Sequence, residues 1–204
     1  MSRTLVTRIT ERAEAAAVET TPDLVAALAT YLELLARWNK RINLTAFVLD
    51  EPTDAAIDRL LIEPLVGAAI VAPASLTAVD IGSGGGSPAL PLKLARPHLR
   101  MRLFEARVRK SAFLREAVRA LGLDHAEVET ARIDSERDVP RDLARRVDLV
   151  TMRAVRVDGS LFAAVGVLLR PGGELLIFGE GPTVIGEQFE PLETARGLVR
   201  HRKR

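Results

Sequence analysis

The stretch Thr77-Ala-Val-Asp-Ile-Gly-Ser-Gly-Gly-Gly-Ser-Pro88 constrains this chain more than any other. An apolar run of strand length passes directly into glycines at 82, 84, 85 and 86, the pattern of a strand ending in a tight turn that opens onto a helix. A turn alone needs fewer glycines, so their density points to a ligand approaching the backbone where Cβ atoms would obstruct it. Asp80 stands two residues before the first glycine. A dinucleotide fingerprint would place a third glycine at position 87, where this chain has Ser87, and a carboxylate beside a pyrophosphate is repulsive. Beside the amino and sulfonium groups of S-adenosyl-L-methionine the same carboxylate is attractive, by several kcal/mol at most in a partly buried site.

From Leu76 onward, short apolar runs alternate with helical patterns, the signature of βαβ units and a parallel sheet. Strands are expected at 76–81, 101–105, 126–131, 147–152 and 173–178, with helices at 88–95, 107–121, 138–145 and 158–169. Gly122 is the expected stop of the second of these helices, and Pro171-Gly172-Gly173 reads as a turn between helix and strand. Upstream, residues 22–41 carry Leu24, Leu28, Tyr31, Leu32, Leu35 and Trp38 at helical spacing, starting at Pro22-Asp23 and ended by Asn43-Leu-Thr45. Residues 55–72 read as another helix, broken by Pro73 and Ser75. The expectation is an α/β fold, Rossmann-like, with a mostly parallel sheet and helices on both faces. Residues 1–75 form an N-terminal helical extension packed on a domain at 76–204, the whole being one structural unit.

The chain has 204 residues, 48% of them apolar, enough for one such core. It contains no cysteine, and its histidines are scattered at 98, 125 and 201, so no metal is expected. Charges at Arg3, Arg8, Glu11, Arg12 and Glu14 interrupt the N-terminus, so neither a leader nor a membrane span is read there, and a cytoplasmic location is expected. The formal charge of +2 conceals a local excess: eight arginines and lysines against two glutamates between Arg96 and Arg119. That segment and the Arg200-His-Arg-Lys-Arg204 tail are candidate phosphate-binding surfaces, or else solvated faces.

Open α/β sheets bind ligands outside the carboxyl ends of their strands, and four signals fall at that edge. Glu105 ends the second strand at the distance from the glycines where an acid reaches ribose hydroxyls. Ile133 and Asp134 come after the third strand, the one suited to cover an adenine ring and the other to accept from its amino group or to cap a helix. Arg153 ends the fourth strand, where a methyl acceptor would meet its donor; its alternative is an ion pair with an acid such as Asp158.

From about residue 31 to 180 the chain resembles the RsmG, or GidB, methyltransferases. The resemblance is carried by Trp38-Asn-Lys-Arg-Ile-Asn-Leu-Thr45, the Asp80–Pro88 loop with Pro91-Leu and Arg96-Pro97 after it, Arg109-Lys-Ser-Ala-Phe-Leu114, Arg132-Ile-Asp134 and Arg153-Ala154, in the family's order. The Asn-Lys-x-x-Asn-Leu-Thr segment is the most diagnostic. The resemblance implies a class I methyltransferase fold and methyl transfer from S-adenosyl-L-methionine to guanine N7 in 16S ribosomal RNA, with that RNA or the small ribosomal subunit as partner. No membrane or metal is implied, and a monomer is expected. It also implies a cofactor site at Asp80, Gly82, Ser83, Gly84, Gly86, Ser87, Glu105, Ala106, Ile133, Asp134 and Arg153, with Asn43, Arg59 and Arg153 on the substrate side.

Three departures stand out. Ser87-Pro88-Ala89 replaces the family's Phe-Pro-Gly or Leu-Pro-Gly, removing an apolar contact. Arg59-Leu-Leu-Ile-Glu63-Pro64 keeps the arginine and the acid of the family's Arg-His-x-x-Asp-Ser but lacks its histidine. The fifth strand ends Phe178-Gly179 instead of Lys-Gly, and the C-terminal strand pair is shortened into 180–204. The alternatives to an RNA methyltransferase are a small-molecule methyltransferase and a non-catalytic cofactor-binding relative.

Overall fold

The computed structural model describes residues 3–72, 77–156, 158–179, 186–193 and 197–204; the expected break at Pro73 and Ser75 and the strand start at Leu76 lie outside them. Five parallel strands, β1 (Thr77–Ile81), β2 (Arg100–Phe104), β3 (Ala126–Glu129), β4 (Val147–Arg153) and β5 (Leu169–Phe178), are joined by β6 (Phe189–Pro191) and β7 (Leu198–Lys203) in the order β3-β2-β1-β4-β5-β7-β6. Strands β5 and β7 pair antiparallel, as do β6 and β7. The strand order reverses direction between β1 and β4, which places a crevice at their carboxyl ends.

Alternation along the strands divides the core. Ala78, Met101, Leu103, Leu149, Leu176 and Phe178 face one cluster, together with Ile9, Leu28, Leu32 and Leu35 of the N-terminal helices. Val79, Ile81, Phe104, Val150, Met152 and Ile177 face the other, covered by Leu161, Val165 and Leu168. Polar residues at the first parity, Asp80, Thr151 and Arg153, therefore lie on the face that the N-terminal helices cover.

Seven α-helices are described. Helix α1 (Arg3–Ala15) has no counterpart in the sequence reading: charged residues dilute its apolar stripe, and only Ile9 and Ala13 are fully buried. Its Arg12 holds Asp58 through two nitrogens, one of them Nε at 2.7 Å. Helix α2 (Pro22–Asn39) starts where Thr21 Oγ1 accepts from Leu24 N–H and Pro22 supplies the first turn. It stops two residues before the expected end because the Asn39 side chain turns back on the following loop.

The single helix expected over 55–72 is instead α3 (Asp54–Ile57), a π-helical turn (Asp58–Ile62) and α4 (Glu63–Ile70). Pro64 is the physical reason. It has no N–H, so the i+4 donor to Leu60 O and the i+5 donor to Arg59 O are both absent, and the ladder widens around the two carbonyls.

Helices α5 (Ala89–Ala95), α6 (Val108–Ala120) and α7 (Gly159–Leu168) match expectation within a residue or two, and Gly122 comes after α6 at φ +59°. No helix forms over 138–145. Asp138 is committed to a capping box with Ser135, leaving only a 3-10 turn at Glu136–Asp138, and Pro140 breaks the segment two residues later. Pro171-Gly172-Gly173 is a bulge inside β5, not a turn before it: Leu169 pairs with Val147 and Glu174 with Leu149, so 170–173 loop out between them.

The basic tail is also corrected. It is strand β7, with Arg200 and Arg202 paired to the buried Glu174 and His201 buried between them. Arg200 and Arg202 are engaged by Glu174 within the sheet and Lys203 by the carbonyls of Gly166 and Leu169, while Arg204 is exposed.

Candidate functional site

The glycine loop leaves β1 and is held at three levels. Gly82 N–H and Ser83 N–H both donate to Phe104 O, at 2.9 and 3.0 Å, tying the loop to the end of β2. Gly84 N–H donates to Glu105 Oε2 at 2.9 Å, while Arg107 N–H donates to Glu105 Oε1 at 2.8 Å. Each carboxylate oxygen of Glu105 thus keeps further acceptor capacity in a fixed orientation. From above, the Tyr31 hydroxyl on α2 donates to Gly85 O at 2.7 Å. A Cβ at Gly85 would lie 3.0 Å from Leu44 O, so only glycine lets the loop pass beneath the Asn43–Thr45 segment. That segment is itself fastened by Asn39, whose Oδ1 accepts from Leu44 N–H at 2.9 Å and Thr45 N–H at 3.0 Å.

Asp80 lies under the loop, 1% exposed. Its Oδ1 accepts from Thr151 Oγ1 at 2.5 Å; its Oδ2 is buried with no hydrogen-bond partner. Burial pushes the carboxyl up to about 6, against the opposing effect of the Thr151 bond. A buried carboxylate oxygen lacking a donor is costly and matches a ligand cation in charge and hydrogen bonding.

Arg153 is differently placed from its expectation. Its Nη1 donates to Arg59 O and, at 3.1 Å, to Ser87 Oγ; its Nη2 meets Glu63 Oε2 at 2.8 Å. Its guanidinium lies 5.1 Å from the centre of the Phe178 ring, and burial lowers its pKa to about 10. The ion-pair partner is therefore Glu63, not Asp158, which instead caps α7 by accepting from Leu161 N–H. Ser87 Oγ donates to Leu60 O at 2.8 Å. Ser87 and Arg153 thus donate to Leu60 O and Arg59 O, the two carbonyls for which Pro64 has no N–H.

A crevice of about 440 Å³ is lined by Asn43, Arg59, Gly82, Ser83, Gly84, Ser87, Glu105 and Arg153 among others; Asp80 lies beneath the glycine loop and is not part of its lining. Asn43 is exposed on its rim; Arg59 is half-buried and pairs with Glu63 at 2.8 Å. Gly86, at φ +85°, faces Leu90 behind the loop, and Ala106 is exposed beside Glu105. Ile133 and Asp134 do not line the crevice. Ile133 is buried in the second core cluster, and the exposed Asp134 pairs with Arg132. Asp134 caps no helix, since Ser135 holds that position. A wider hollow of about 610 Å³ between α1, α2 and Leu49–Pro52 contains none of the expected residues, so chemistry rather than size identifies the site.

Tyr31, Thr151 and Asn39 were not singled out as site residues from the sequence. Thr151 had a signal: a lone hydroxyl in the apolar run Leu149–Met152, in register with Asp80. Among the described residues no group of three or more acids and histidines could hold a metal, and no helix is long and apolar enough to cross a membrane.

Residues 24–182 match the family model described as GidB, rRNA small subunit methyltransferase G. The chain is 38% identical over 158 residues to ribosomal RNA small subunit methyltransferase G of Xanthomonas campestris, covering 76% of this chain and 68% of that protein. It is 41% identical over 149 residues to the protein of the same name from Stenotrophomonas maltophilia, covering 73% and 66%. Among solved structures, mitomycin 7-O-methyltransferase MmcR superposes with a TM-score of 0.55 at 19% identity, covering 74% of this chain and 56% of that one. That likeness establishes the Rossmann-like methyltransferase fold.

Proposed function

Because this chain belongs to the rRNA small subunit methyltransferase G family, we propose that its crevice holds S-adenosyl-L-methionine and that the methyl acceptor is N7 of a guanine in 16S ribosomal RNA. The chain is an S-adenosylmethionine-dependent methyltransferase of small-subunit ribosomal RNA. The observation that carries the site assignment is the unpartnered Oδ2 of Asp80, buried at the end of β1 beneath the glycine loop.

Asp80 would hold the cofactor's ammonium through Oδ2, and Glu105 would accept from its ribose hydroxyls with its free lone pairs. Gly82, Ser83 and Gly84 give the backbone surface on which it lies. Arg132 and Asp134 at the carboxyl end of β3 would meet the adenine end, their exposed pair being weak enough to exchange partners. When bound, the cofactor supplies a methyl group already activated on a positively charged sulfur.

Guanine N7 offers a lone pair at neutral pH, so attack needs no proton removed and no general base among the site residues. What the chain contributes is orientation. Asn43 and Arg59, on the rim, are the groups placed to hold the base or its phosphate. Arg153 is a positioning residue: it fixes Glu63 and the Arg59 backbone, and through them the wall against which the acceptor lies. A base within folded RNA must be single-stranded or flipped to reach this depth. We place the enzyme in the cytoplasm with the small subunit, acting as a monomer, residues 1–75 and 76–204 working as one unit around a shared core.

The test is mass mapping of methylated guanines in 16S RNA from cells with and without this gene. Loss of one N7-methylguanosine is expected in the deletion strain; an unchanged map overturns the reading. Methyl transfer to small acceptors but not to small subunits would point to a small-molecule enzyme.

A further inference from the structure

The crevice does not end at its rim. A second hollow of about 440 Å³ shares Asn43, Thr45 and Ala46 with it and continues to Lys40 and Arg41. A third, of about 410 Å³, shares Lys40 and Arg41 with the second and adds Arg37, Trp38 and Glu116. Their shared lining residues trace a trough from the crevice along the Asn39–Ala46 loop to the end of α2, where Arg37 and Lys40 also border the 610 Å³ hollow. Three of the five residues lining its far end are cationic and one is aromatic.

Arg37 and Arg41 are exposed, and neither has an ion-pair partner among the described residues. Lys40 pairs with Asp50 at 2.6 Å, but both groups are well exposed, so a competing phosphate displaces Asp50 at little cost. A helix C-terminus favours cations, which accounts for Arg37 as a structural choice. It does not account for Arg41, which lies beyond the helix, nor for the concavity. Trp38 is half-buried, packs edge-on with Phe113 at 5.9 Å between ring centres, and lines the third hollow. Cations along a groove with an aromatic in its lining suit a single polynucleotide strand, phosphates outward and a base stacked inward.

We infer that this trough, with Arg37 and Arg41 as phosphate contacts and Trp38 as a stacking platform, carries the ribosomal RNA strand flanking the target guanine. The inference rests on the proposed RNA methyltransferase function and extends it to a substrate-binding surface outside the crevice. By contrast Arg100 and Arg119, in the basic segment after the glycine loop, line none of these hollows, and Arg102 is bound to Glu129 and Asp142.

The experiment measures binding of deproteinised 16S RNA to the wild-type protein, to the double variant Arg37→Ala/Arg41→Ala and to the charge-matched control Arg100→Ala/Arg119→Ala, each across a salt series. Binding of S-adenosylhomocysteine, measured in parallel, reports an intact fold and crevice. The double variant is expected to bind RNA more weakly and to lose about 1.4 from the slope of log affinity against log salt, about 0.7 for each single-strand phosphate contact. The control is expected to match the wild type, and all three proteins to bind the cofactor product equally. An unchanged slope in Arg37→Ala/Arg41→Ala, or an equal loss in the control, overturns the trough. Absence of methyl transfer from the wild-type protein to small subunits is a separate outcome, which overturns the functional reading instead.

Discussion

Replacing Asp80 by asparagine should make the ligand-free protein more stable near neutral pH while removing its affinity for the cofactor. Burial raises the carboxyl from 3.8 to about 6, whereas in the unfolded chain it titrates near its ordinary value. Between those two values the folded state holds a proton that the unfolded state has released, so this group's contribution to stability falls as pH rises from about 4 to about 6. At about 1.4 kcal/mol per pH unit, the ionised carboxylate costs the fold about 3 kcal/mol above that window. The asparagine would carry no charge and would still accept from Thr151, but its amide would put a donor where Oδ2 has no partner, offsetting about 1–3 kcal/mol. The net expectation for Asp80→Asn at pH 7.5 is a gain of about 0–2 kcal/mol, shifting Tm upward by about 0–8 °C. At pH 4 the wild-type carboxyl is largely neutral and the advantage disappears. Chemical denaturation from pH 4 to 8, with calorimetry of S-adenosylhomocysteine on both proteins, supplies the measurement. Stability curves that run parallel across the whole range, or retained affinity in Asp80→Asn, would contradict this account of the buried charge. The same linkage makes wild-type cofactor affinity fall as pH drops below about 6, since the ammonium binds the ionised carboxylate.

Ser87→Ala should cost about 1–3 kcal/mol, because Leu60 O loses the donor that Pro64 cannot supply. In a Pro64→Ala background the cost should be much smaller, and a double-mutant cycle with no coupling would remove the capping account. Tyr31→Phe should cost about 1 kcal/mol by denaturation and weaken cofactor binding, since the hydroxyl anchors Gly85 O; unchanged binding would show that the loop holds without it. Gly82→Ala should cost about 1–3 kcal/mol, its φ of +73° being strained for alanine and its Cβ falling 2.8 Å from Val155 Cγ2; a neutral melting curve contradicts this.

The parallel part of the sheet was legible because β1, β4 and β5 carry short apolar runs bounded by turn chemistry and alternate with helical patterns. The crevice was legible for the same reason: the chemistry sits at the ends of β1, β2 and β4. Illegible parts have a common cause, which is that they depend on partners distant in sequence. Arg153 reads as a cation beside the acceptor or as a partner of the nearby Asp158, until the fold brings Glu63 and the Arg59 carbonyl to it. Residues 138–145 have helical composition, yet Asp138 is taken by Ser135. The Arg200–Arg204 run reads as a tail because nothing local announces Glu174, across the sheet on β5. Tyr31 reads as core, and it is core; only its hydroxyl reaches the loop.

The pairing of Ser87 with the proline-widened turn also makes the two positions unequal in what each tolerates of the other. A serine at 87 facing a turn that still has its own N–H is a mild change, a hydroxyl at the rim of a crevice. A proline at 64 facing an apolar residue at 87 leaves a buried carbonyl bare beside the crevice. The serine is therefore tolerated without the proline, and the proline depends on the serine. Among related sequences, chains with the serine and no proline are expected to be common, and chains with the proline and no hydroxyl at the facing position to be rare.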